Sequence, residues 1–196
     1  MRRRQLQSAG KNCEESAITA YSASQNGAPV YTGEPSARAS LSFFEAQGYS
    51  IQDFLAFWIM NNIPQEKRHG QLTVDKFRHL VDQVVSDKNY LLGTSVRFTT
   101  EDFAAWYAKN MQTSRTYLDI EQEDTSPYTP PAGPKTVLHT LSALSTKAWD
   151  KNVVATIKTA LEKHKRVLAV YGHSHLESEW EELVQFMGIP KKTKPF

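Results

Sequence analysis

Cysteine is nearly missing from this chain of 196 residues: Cys13 stands alone. A single thiol closes no internal disulfide and makes no metal site by itself, so nothing argues for an oxidising compartment and a cytoplasmic setting is expected. Long apolar runs are missing too. No stretch approaches the roughly 20 apolar residues that span a bilayer, and residues 1–10 lack the apolar segment of a secretory signal. An excess of one charge is also lacking. With 23 Lys and Arg against 21 Asp and Glu the net charge is +2, and apart from Arg2-Arg3-Arg4 and the Lys191-Lys192-Thr193-Lys194 tail the basic residues read as scattered, so no nucleic-acid partner is expected. No internal repeat is found. The 40% apolar content suffices for one ordinary core, and one domain over residues 1–196 is the default expectation.

What is present is mostly helical periodicity. A first helix runs from about Asn12 to Gly27, and a second from Ser36 to Gln47 closes at Gly48, both glycines suiting the left-handed turn that ends a helix. Ser50 with Asp53 forms a capping box, and Ile51, Phe54, Leu55, Trp58 and Ile59 make one apolar stripe that Pro64 is expected to stop. Thr73 opens a helix carrying Val74, Phe77, Leu80, Val81 and Val84; Thr99 with Asp102 caps another carrying Phe103, Trp106 and Tyr107. Residues 112–135 are rich in Thr, Ser, Asp, Gly and Pro and read as a long surface loop. Helical pattern resumes from Thr136 to about His164, with a break or bend expected near Trp149-Asp150.

Strand signal is scarce, limited to residues 29–32 and 166–171. The second segment, ending Val167-Leu168-Ala169-Val170-Tyr171, reads as a covered strand because it is short, apolar and followed by Gly172. The expected fold is therefore α/β, a helix-rich domain around a small and incomplete β-sheet. Two short strands make no stable sheet, so the expectation needs further strands of weaker signal within the chain, strands from another chain as in a homo-oligomer, or strands lost with an N-terminal portion.

The chemistry gathers after that second segment. Gly172-His173-Ser174-His175 follows Tyr171 directly, and Ser174 with Glu177 forms a capping box that puts His175 at the first helical position. The partial positive charge of a helix N-terminus disfavours imidazolium, leaving the lone pair of His175 available to a metal or a proton. Nine Gly and six His yield about 0.3 Gly-x-x-His spacings by chance, so the position after a strand end is what raises the motif.

The order Val30-Tyr31-Thr32-Gly33-Glu34-Pro35-Ser36, a helix after Gly48-Tyr49-Ser50, Ile63-Pro64-Gln65, Asp150-Lys151-Asn152, and the run from Val167 to Leu176 resembles the TraB/GumN and TIKI-like proteins, of the erythromycin-esterase-like and ChaN-like superfamily. The likeness covers roughly residues 28–188 in order of elements. It implies a metal-dependent hydrolase of peptide or ester bonds, with two Gly-x-x-His motifs, a glutamate and a polar residue converging on one site. On this chain the second motif is Gly172 with His175, Glu34 takes the acidic position, and Lys151 and Asn152 stand where the family has Arg-x-Asn. Glu34 and His175 are then the expected catalytic pair, Lys151, Asn152 and Gly172 bind around them, and Glu34, His173 and His175 are candidate ligands of a divalent metal. The departure is that no Gly-x-x-His precedes Gly172. Glu34 could also serve as a general base without metal. The alternatives are a non-catalytic protein in which Tyr31, Tyr171 or a histidine contacts haem or another small ligand, and a shortened scaffold that acts as an oligomer.

Overall fold

Hydroxyl side chains accept the first free amides of the helices where the sequence suggests, which fixes most starts locally. The computed structural model describes residues 15–111, 113–126, 136–171 and 173–188, with backbone alone for residues 15, 16 and 173–177. Among them run α1 (Glu15–Gln25), α2 (Ala37–Glu45), α3 (Ile51–Arg68), α4 (Val74–Leu92), α5 (Thr100–Met111), α6 (Gln122–Thr125), α7 (Val137–Lys163) and α8 (His173–Met187). A 3-10 turn, Tyr117–Asp119, precedes α6. The Ser50 hydroxyl accepts the Asp53 amide while the Asp53 carboxylate accepts the Ser50 amide at 2.7 Å, and Thr99 and Asp102 repeat the exchange before α5. Gly27 and Gly48 take φ of 67° and 85° after α1 and α2, a region that favours glycine.

The chain divides into two compact units, one formed by the residues up to Glu34 with those from Asp150 on, the other by Pro35–Trp149. In the second unit α3 is the hub, packed by α2, α4, α5 and α6. Its stripe of Phe54, Leu55 and Ile59 is fully buried. Each such side chain stabilises the fold by about 1.5–3 kcal/mol. Phe77, Val81, Phe103, Leu138 and Leu141 complete this core from α4, α5 and the first half of α7.

The expected β-sheet is not there: among the described residues no strand forms, so the α/β expectation is corrected to a helical architecture. Segments 29–32 and 166–171 run without helix, turn or bend, yet no backbone-to-backbone hydrogen bond joins either to another described residue. Their β-branched and aromatic residues favour straight chain, but a strand exists only through its ladder partner. Neither segment is covered as a central strand would be, since Val30 is 52% and Leu168 80% exposed.

Four smaller corrections follow from packing. Pro64 does not stop α3, which continues to Arg68 with Ile63 and Pro64 buried and Lys67 bonded to the Ile120 carbonyl and paired with Glu121. Burial and that tether outweigh the amide that proline lacks. The expected loop 112–135 is partly folded: Tyr117 stacks on Phe77 with ring centroids 4.4 Å apart and Ile120 is buried, while residues 112 and 127–135 lie outside the described residues. α7 passes Trp149 and Asp150 without a break. Val74 is exposed, because the first residue of α4 lies beyond the edge of the core its stripe faces.

Candidate functional site

The predicted residues belong to the unit made of the chain up to Glu34 and from Asp150 on. Its approach to the site is straight from residue 28 to Gly33 and bends at Glu34. The Thr32 hydroxyl accepts the Glu34 amide at 3.2 Å, a local bond that helps turn the chain. From α7 the Asn152 side-chain amide donates to the Gly33 carbonyl at 2.8 Å, and the Thr156 hydroxyl, one turn further on, donates to the Thr32 carbonyl at 3.5 Å. Residues 152 and 156 share a helix face, so one side of α7 grips two successive carbonyls.

The other side of Gly33 is closed by an aromatic ring. A Cβ built on Gly33 would lie 1.8 Å from the Tyr171 hydroxyl oxygen and 3.0 Å from Val153 Cγ2, so a larger residue there has to displace the end of the Tyr171 side chain. Burial pushes the Tyr171 hydroxyl pKa up, and the negative charge of Glu179 on α8 adds to it. Glu179 itself is buried. Gly33, Asn152 and Tyr171 thus meet beside the bend that presents Glu34, with Glu179 close enough to Tyr171 to act on its charge.

Of the predicted site residues, Glu34 has an exposed carboxylate at this bend, Asn152 is half-buried against Gly33, and Lys151 is exposed on α7. Gly172 and the side chains of His173 and His175 lie outside the described residues. α8 begins at His173, so His175 is its third residue rather than its first. Among the described residues no three of His, Cys, Asp and Glu come together as a metal-holding group.

Sequence reasoning missed the closure of Gly33 by Tyr171, and a signal for it existed. A glycine within a strand-like run marks a close approach by another group. Glu179 could be suspected only from its place four residues after His175. His164, just past the end of α7, has its Nε2 2.9 Å from the Tyr31 hydroxyl, with ring centroids 5.9 Å apart. That pair borders an apolar groove of about 520 Å³ whose walls include Val30, Ile157, Val167 and Leu168.

No family model, curated protein or solved structure matches this chain. No helix of the described residues is long and apolar enough to cross a membrane.

Proposed function

We propose that the bend at Glu34 is the reacting end of a hydrolase-type site for ester or peptide bonds, as the resemblance to the TraB/GumN and TIKI-like proteins implies. What supports this is the 2.8 Å bond from Asn152 to the Gly33 carbonyl, which joins two of the stretches that carry the resemblance. The Glu34 carboxylate is exposed to solvent and held at a turn, which suits a general base that takes a proton from an attacking water. Asn152 is a positioning residue: it holds the carbonyl next to Glu34 and does not touch substrate. Tyr171 fixes the opposite side of the same backbone. Glu34 is the one proposed metal ligand whose side chain is described, and by itself it is not a metal centre. A divalent ion held by Glu34 with His173 and His175 would polarise the scissile carbonyl.

The same proposal sets the protein in the cytoplasm, without a nucleic-acid partner. Its test compares the purified chain with Glu34→Gln and His175→Ala variants shown by circular dichroism to be folded. Elemental analysis and activity on nitrophenyl esters and quenched-fluorescence peptides are the readouts. Near-stoichiometric divalent metal lost in both variants, with activity lowered by about 10²–10⁴, is expected. A folded, metal-free chain that hydrolyses neither substrate overturns the proposal, and a haem-coloured preparation replaces it with the ligand-binding alternative.

A further inference from the structure

The groove of about 520 Å³ is walled by straight, largely apolar, non-helical chain, residues 28–31 and 166–171, by Thr156, Ile157 and Ala160 of α7, and by Ala20 and Ala23 of α1. The backbone of 166–171 forms no backbone hydrogen bond with any described residue. Val167, Leu168 and Tyr171 are nevertheless 37%, 80% and 38% exposed, an apolar surface next to a row of N–H and C=O groups without a backbone partner among the described residues. A small apolar ligand would meet the walls and leave that row to water. A polypeptide strand meets both, as in strand addition to an open sheet edge.

Charge says which strand. Lys163, Lys165 and Arg166 stand exposed at one end of the segment, Arg166 lining the groove, and none forms an ion pair with a described residue. We propose that this groove takes up an extended apolar segment of a partner polypeptide, about six residues long to match 166–171, carrying acidic residues at the end that meets Arg166. The segment pairs its main chain with 166–171 and seats alternate side chains in the groove. The inference is independent of the hydrolase proposal, because it uses neither Glu34 nor Asn152.

The test uses the full chain and a fluorescein-labelled synthetic peptide with two Asp followed by alternating Val and Thr. Fluorescence anisotropy should show saturable binding, weakened about tenfold or more when alternate peptide amides are N-methylated, since methylation removes main-chain donors and keeps the side chains. Leu168→Asp, at an exposed position that leaves folding intact, should abolish binding. A Lys165→Glu/Arg166→Glu variant should prefer a peptide flanked by two Lys over the acidic one. Absence of binding, equal binding of the N-methylated peptide, or displacement of the peptide by palmitate at equal concentration with no effect of the charge reversal overturns the proposal.

Discussion

The Tyr171 hydroxyl occupies the space that any side chain at position 33 would need, with a Cβ there only 1.8 Å from its oxygen and 2.8 Å from the ring carbon that bears it. Glycine suits position 33 through this close approach and not through a left-handed backbone. The contact brings the residue before Glu34 against the residue before Gly172, so the two ends of the apolar segments meet at one point although no ladder joins them.

Gly33→Ala should therefore destabilise the protein by about 1–3 kcal/mol, the range for overpacking a tight site. Truncating the obstacle should relieve it. The double variant Gly33→Ala/Tyr171→Ala should be more stable than the sum of the single losses requires, by at least about 0.5 kcal/mol. Urea unfolding of the four proteins reads this directly, and strict additivity would show that the two residues do not meet.

Asn152→Ala removes the donor to the Gly33 carbonyl at a half-buried position and should cost about 1 kcal/mol. Asn152→Asp should cost more, because a carboxylate then faces a carbonyl oxygen. The extra loss should grow as pH rises above about 4, where the new side chain ionises. Unfolding curves for both variants at acid and neutral pH separate the two effects.

Asp53 links stability to acid. Burial pushes its carboxyl up, but hydrogen bonds from the Ser50 hydroxyl and amide and from the Trp106 indole outweigh it and hold the pKa below the ordinary value. Asp102 and Asp119 are lowered by bonds from Thr99 and Thr116. A carboxyl lower in the folded than in the unfolded state stabilises above the unfolded pKa, and that stability is lost as pH falls through the folded one. The wild type should thus lose stability below about pH 4. Asp53→Asn should be weaker at neutral pH by about 1 kcal/mol and show a shallower acid decline.

Tyr107 and Tyr171 mark the alkaline side. Burial raises both pKa values, with carboxylates adding to it: Asp124 and Asp119 at Tyr107, where Arg115 opposes them, and Glu179 at Tyr171. Unfolded tyrosines ionise first, so stability present below about pH 10 is lost as pH rises further. In a near-ultraviolet titration Tyr107 and Tyr171 should ionise late, and Tyr171→Phe should remove one late step.

Much of the helical part was legible because its causes are local. The exchange between Ser50 and Asp53 spans a single turn, and the stripe of Phe54, Leu55 and Ile59 repeats at the helical period, so neither waits for the rest of the chain. Pro64 and the segment around Ile120 were misread for the opposite reason. There a tether from Lys67 and burial against the core override what neighbouring residues prefer. At the site, the helix after Gly172 was visible as a motif, whereas the closure of Gly33 by Tyr171 and the burial of Glu179 were not.

The amino-acid sequence by itself determined the caps, the apolar stripes and the straight runs at 29–32 and 166–171, since these depend on residues within a turn or two of one another. Tertiary structure alone decided that those runs pair with no described neighbour, and that Asn152, Tyr171 and Gly33 meet at one bend. A hydrogen-bond ladder and a steric lock each need a second piece of chain in place, and only the folded backbone supplies it.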